Sequence, residues 1–221
     1  VKSSFLLNGV IAVVAAAAGY ALYAGFVAAP AQSGADALPG TALIQTASAE
    51  EATGVPTELP DFTLADRDGT KRSIRSWEGK SMVVNFWATW CGPCRKEIPM
   101  LKEMQKANAG AGFQVVGVAV DEREDVLKYA KEINIDYPIL IGTDDGMAAV
   151  TQFGMGSIGF PFTVFTDNKH RIVTTFLGEL SRADIAIIFA AVSKVNAGQL
   201  TPAAARVQVA KDLAKATPAK G

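Results

Sequence analysis

Between Ser81 and Ala88 the chain reads SMVVNFWA, almost wholly apolar, and just beyond it stand Cys91 and Cys94, the only cysteines in the sequence. A continuous apolar run of this length is the mark of a strand covered on both faces, as inside an α/β sheet. Helical spacing runs from the cysteines to about Asn108, so a buried strand hands over to a helix at the cysteine pair. Pro93 falls in the first turn of that helix, where its missing N–H would have no helical partner anyway. The unpaired N–H groups and the dipole at such a terminus favour negative charge. A thiolate at Cys91 is that charge, and thiols in such positions titrate at about 3.5 to 7.5. Cys94 lies on the same side of the turn, close enough for the two sulfurs to close a reversible disulfide. Cys91 is then the exposed attacking thiol and Cys94 the more buried resolving one.

Two other readings of the pair stay open on the residues alone. Two thiolates can carry Cu(I), although a flexible loop suits a carrier better than a strand–helix junction. An inert staple would close a tiny loop and so contribute little. A tetrahedral zinc site of four thiolates is excluded by the cysteine count, and the single histidine, His170, is remote in sequence, so no structural zinc site is expected. Gly92 lets another backbone approach the pair. Trp90 offers a flat apolar surface to a client, whereas Trp87, within the strand, reads as core. A formal net charge of −1, with no basic stretch interleaved with aromatics, argues against nucleic acid.

From Phe5 to Ala29 the chain carries no charged residue, enough helix to span a bilayer. Lys2 precedes this segment and no Lys or Arg follows until Arg67, an asymmetry that leaves the N-terminus in the cytoplasm and exports the rest. Ala29-Pro30-Ala31 resembles a signal-peptidase site, but the length of the apolar run favours a retained anchor. Four regions are expected: an anchor at 1–29, a flexible linker at 30–57, a folded domain at 58–195 and an Ala/Lys-rich tail at 196–221. The linker, rich in Ala, Gly, Ser, Thr and Pro, reaches roughly 30 Å as a coil. The tail is expected to hold only a frayed helix near Ala203–Ala214. Within the domain, a hairpin turns at Asp68-Gly69, and FQVVGVAV, YPILIG, FTVFTD and RIVTTFL read as further strands. EDVLKYAKEIN and MAAVTQF read as helices, and Ser181 with Asp184 forms a capping pair for a last one. Pro138 reads as the start of an edge strand and His170 as a solvated turn residue. Alternating strands and helices closed by a hairpin and a helix indicate an α/β fold with a mixed sheet.

The stretch NFWATWCGPCRKEIP resembles the thioredoxin family. With DFTLADRDG, VVGVAVDE and the apolar N-terminal segment, the similarity is to its membrane-anchored TlpA/ResA-type branch, over about Glu58 to Val195. The resemblance implies a thioredoxin fold with an N-terminal hairpin and a central insertion. It further implies a redox-active Cys91–Cys94 disulfide with no other cofactor, and a reductase on the periplasmic side of a bacterial cytoplasmic membrane. The clients implied are apocytochrome c, or copper-delivery and oxidase-assembly proteins, with a membrane electron donor of the cytochrome-biogenesis type. GFPFTVF matches the family's cis-proline loop, which sets Pro161 opposite Cys91 and turns the backbone of Phe160 toward an extended client segment. Glu97 matches an acidic residue three positions after the second cysteine, able to take the proton of Cys94. Asn85 stands where cytosolic thioredoxins keep a buried aspartate, and an amide cannot take a proton. The Gly92-Pro93 dipeptide is that of reducing thioredoxins, with potentials of about −270 mV against about −120 mV for strong oxidants. This favours a reductant over a disulfide-donating oxidase.

Overall fold

The computed structural model describes residues 54–154 and 159–216. The expected anchor, and the linker as far as residue 53, lie outside these residues. Among the described residues no helix is long and apolar enough to cross a membrane. The strands are β1 (Thr63–Asp66), β2 (Lys71–Ser73), β3 (Ser81–Trp87), β4 (Phe113–Val120), β5 (Ile139–Gly142), β6 (Phe162–Thr166) and β7 (Ile172–Leu177). The helices are α1 (Gly92–Asn108), α2 (Arg123–Glu132), α3 (Asp144–Thr151), α4 (Arg182–Asn196) and α5 (Pro202–Ala216). The sheet runs β2-β1-β5-β4-β3-β6-β7, mixed in direction.

The apolar run that opened the sequence is the centre of this sheet. β3 pairs in parallel with β4 and antiparallel with β6, and each of its residues is buried. Alternate side chains divide it between two cores. Val83 and Trp87 face α1, α2, α4 and α5, whereas Met82, Val84 and Phe86 join α3 and the hairpin side. α1 lies on the first face through Cys94, Glu97, Ile98, Leu101 and Met104, a stripe at helical spacing with one acid in it. The hairpin turn is fixed by the Asp66 carboxylate, which accepts from the amides of Asp68 and Thr70 at 3.0 Å each. Ser181 and Asp184 form a reciprocal capping box at the start of α4.

Three expectations are corrected. β5 is not an edge strand: β4 pairs with one side and β1 with the other, so Pro138 precedes an interior strand. His170 is not simply solvated, because its Nε2 lies 3.2 Å from the Trp77 carbonyl oxygen. As far as residue 216 the tail is more than a frayed helix, since α5 spans Pro202–Ala216 and packs on the domain. Ala205 and Val209 of α5 are fully buried in the first core, and Arg206 donates to the Ile172 carbonyl at 3.0 Å.

Candidate active site

β3 ends at Trp87, and Cys91 is the N-cap of α1, its Sγ accepting from the Cys94 amide at 3.3 Å. The two cysteines are joined in a disulfide, with sulfurs 2.01 Å and Cα atoms 5.3 Å apart. Cys94 is 0% exposed and Cys91 only 5%, so the order of burial is as expected but Cys91 is not an open thiol in this form. Gly92 and Pro93, between them, are exposed. The loop before Cys91 is tied to the end of β4: the Asp121 carboxylate accepts from the Thr89 amide at 2.9 Å and from its hydroxyl. The sequence reading did not single out Asp121, because the parallel register that brings it to Thr89 is not visible in a linear pattern.

Around the pair stands an apolar rim. Trp90 is 69% exposed, and its ring centroid is 6.1 Å from that of Phe160. That contact sets the loop of Phe160 and Pro161 beside the cysteine loop, and the bond joining these two residues is cis. Leu177, at the end of β7, is 51% exposed and adjoins Gly159, where an added Cβ would lie 3.5 Å from its Cδ1. Leu177 was not foreseen either, since a lone leucine at a strand end carries no signal. Trp87 is wholly buried, in keeping with its reading as core.

Glu97 lies one turn beyond Cys94 and is 2% exposed, which rules out a solvated surface glutamate. Its Oε1 accepts from Asn85 Nδ2 at 2.7 Å and its Oε2 from the Leu180 amide at 2.9 Å. Asn85 Nδ2 also donates to Thr163 Oγ1 at 3.0 Å. Burial raises the Glu97 carboxyl from its ordinary value of 4.5 to about 7; the two donors pull it down and the charge of Glu179 pushes it up. The result is a buried carboxyl, oriented at both oxygens, able to change protonation near neutral pH. Among the described residues no three metal-ligating side chains gather, at the cysteines or elsewhere.

Residues 55–178 match the AhpC/TSA family. The thiol-disulfide oxidoreductase ResA of Geobacillus thermodenitrificans is 30% identical over 135 residues, which are 61% of this chain and 75% of that protein. The thioredoxin-like protein YneN of Bacillus subtilis is 32% identical over 132 residues, 58% of this chain and 74% of its own. A thiol:disulfide interchange protein of the thioredoxin family from Chlorobium tepidum superposes with a TM-score of 0.54 at 36% identity, over 64% of this chain and 96% of that one. A secreted thiol-disulfide isomerase from Corynebacterium glutamicum gives 0.53 at 27% identity, over 57% and 80%. The family match takes in the strand, the cysteine pair and its helix. The chain belongs to the AhpC/TSA family, as a thioredoxin-like thiol-disulfide oxidoreductase of the ResA type.

Proposed function

We propose that the protein is a protein-disulfide reductase tethered at the outer face of a bacterial cytoplasmic membrane by its Phe5–Ala29 segment. The observation that carries the disulfide chemistry of this reading is the cysteine pair at the start of α1, with Cys91 as its N-cap, Cys94 wholly buried and a buried Glu97 one turn further on. In the dithiol form the Cys91 thiolate, favoured by the terminus of α1, attacks a client disulfide. One client thiolate leaves and takes a proton from solvent. Cys94 then gives its proton to the Glu97 carboxylate, and its sulfur attacks Cys91 Sγ, releasing the second client thiolate. Two electrons pass to the client, and Cys91–Cys94 is left as the disulfide. Trp90, Gly92, Pro93, Phe160 and Pro161 form the platform for an extended client segment, which the exposure of Trp90 supports.

The redox-active disulfide is the only prosthetic chemistry required. In an oxidising compartment the dithiol has to be regenerated by a membrane protein that passes electrons outward. Paired cysteines of apocytochrome c, or of copper-delivery and oxidase-assembly proteins, are the clients that fit a tethered reductant. The test is trapping on the full chain. Cys94→Ser should accumulate a mixed disulfide with a disulfide-bonded client, because nothing resolves it, while Cys91→Ser should accumulate none. Equal trapping by both, or trapping by Cys91→Ser alone, would remove the assigned roles.

A further inference from the structure

Among the described residues four buried side-chain polar atoms have no hydrogen-bond partner within the protein. Three of them, Asn85 Oδ1, Trp87 Nε1 and Tyr137 Oη, belong to residues on the α1 side of the sheet. Asn85 is in register with Gly117 on β4. A Cβ on Gly117 would lie 2.9 Å from Trp87 Nε1 and 3.2 Å from Tyr137 Cε2, so the bare backbone of this glycine is the floor on which both ring edges converge. Asn85 in turn donates to Glu97 Oε1 at 2.7 Å. These groups therefore gather beneath the helix that carries Cys94 and Glu97.

The chemistry of the three atoms is complementary, yet none bonds another. The indole N–H only donates, the amide oxygen only accepts, and the phenol does both. A buried water typically makes about three hydrogen bonds to groups otherwise left unpaired. One water can accept from Trp87, donate to Asn85 and exchange a third bond with Tyr137.

We infer that a water molecule bound among Asn85 Oδ1, Trp87 Nε1 and Tyr137 Oη, above Gly117, fixes the Asn85 amide with its N–H donor toward Glu97. The amide has only two planar orientations, and the reversed one would aim its oxygen at the carboxylate. A donor at Oδ1 holds the observed orientation and polarises the amide, which strengthens the bond from Nδ2 to Glu97 Oε1. Tyr137 and Trp87 are thus positioning residues, acting on Glu97 through water and amide. This deepens the proposed role of Glu97 and rests on it for its catalytic consequence only. The other groups acting on the titration of Glu97 are Glu179 and the Leu180 amide, while Arg67, Asp136 and Tyr129 act on Tyr137.

The test has two arms on the oxidised full chain. A crystal structure that orders internal water should place an oxygen within hydrogen-bond distance of all three atoms; protein groups pairing them, or no oxygen there, would overturn the site. In the second arm the Glu97 carboxyl carbon is titrated by NMR in wild type and in Tyr137→Phe, which keeps the ring and deletes the hydroxyl. Loss of support for the ionised form should move the midpoint upward by roughly a few tenths of a pH unit. An unmoved midpoint, or a downward shift, would overturn the coupling to Glu97. Neither arm depends on turnover, so failure of the site is distinguishable from failure of Glu97 as the proton acceptor of Cys94.

Discussion

Ionising Glu97 means placing a charge on an almost fully buried carboxyl, a cost offset by only two donors, Asn85 and the Leu180 amide. Because its folded-state value of about 7 lies above the ordinary 4.5, the folded chain holds this proton more tightly than the unfolded one. Its contribution to stability is therefore fully present below about pH 4.5 and is lost as pH rises through about 7. Glu97→Gln lacks the titration, so relative to wild type it should gain roughly 3 kcal/mol of stability on going from about pH 4 to pH 8. Urea unfolding of both proteins across that range checks this, and a difference that stays flat with pH would mean that the carboxyl is not held as described. The place of this acid was half legible beforehand. Its spacing from Cys94 put it one turn along the helix, but the neighbouring Arg95 and Lys96 suggested solvent as readily as core. What settles its burial is the stripe through Cys94, Ile98 and Leu101, together with donors from residues 85 and 180, far apart in sequence.

At the scale of elements, legibility followed the strength of the local apolar signal. β3, β4 and α1 were readable because continuous apolar runs and an i, i+3, i+4 stripe leave few alternatives. β5 as an interior strand was not readable, because its second neighbour is held through only the short register Ala65↔Ile141 and Asp66↔Leu140. α5 was underestimated for a related reason: an Ala- and Lys-rich helix shows little amphipathic contrast even when it buries Ala205 and Val209, one turn apart. The two valines of that helix make the test. Val209 is fully buried and Val207 is 72% exposed. Val209→Ala should destabilise by on the order of 2 kcal/mol, whereas Val207→Ala should stay within about 0.5 kcal/mol. Equal effects in chemical denaturation would return α5 to the status of a loose tail.

In the molecule as a whole, the parallel strands β3 and β4 deliver Thr89 and Asp121 side by side where α1 begins, and the cis-proline loop and the end of β7 complete the rim. Open α/β sheets put their chemistry at the carboxyl ends of such strands for this geometric reason. The cysteine motif could be read in sequence because it is contiguous. The polar floor beneath it could not, since Asn85, Gly117, Tyr137, Thr163 and Leu180 meet only once the strands are in register. The central claim is that this architecture separates capture of a client by Cys91 from its release by Cys94, with Glu97 serving only the second step. The most direct measurement is a single-turnover reaction of the reduced full chain with a disulfide-linked peptide, following mixed-disulfide formation and decay in wild type and Glu97→Gln. Capture should be unchanged in the variant, because the terminus of α1 is intact, and release should slow by about 10² to 10⁴ around neutral pH. Release at the wild-type rate, or capture slowed as much as release, would contradict the account.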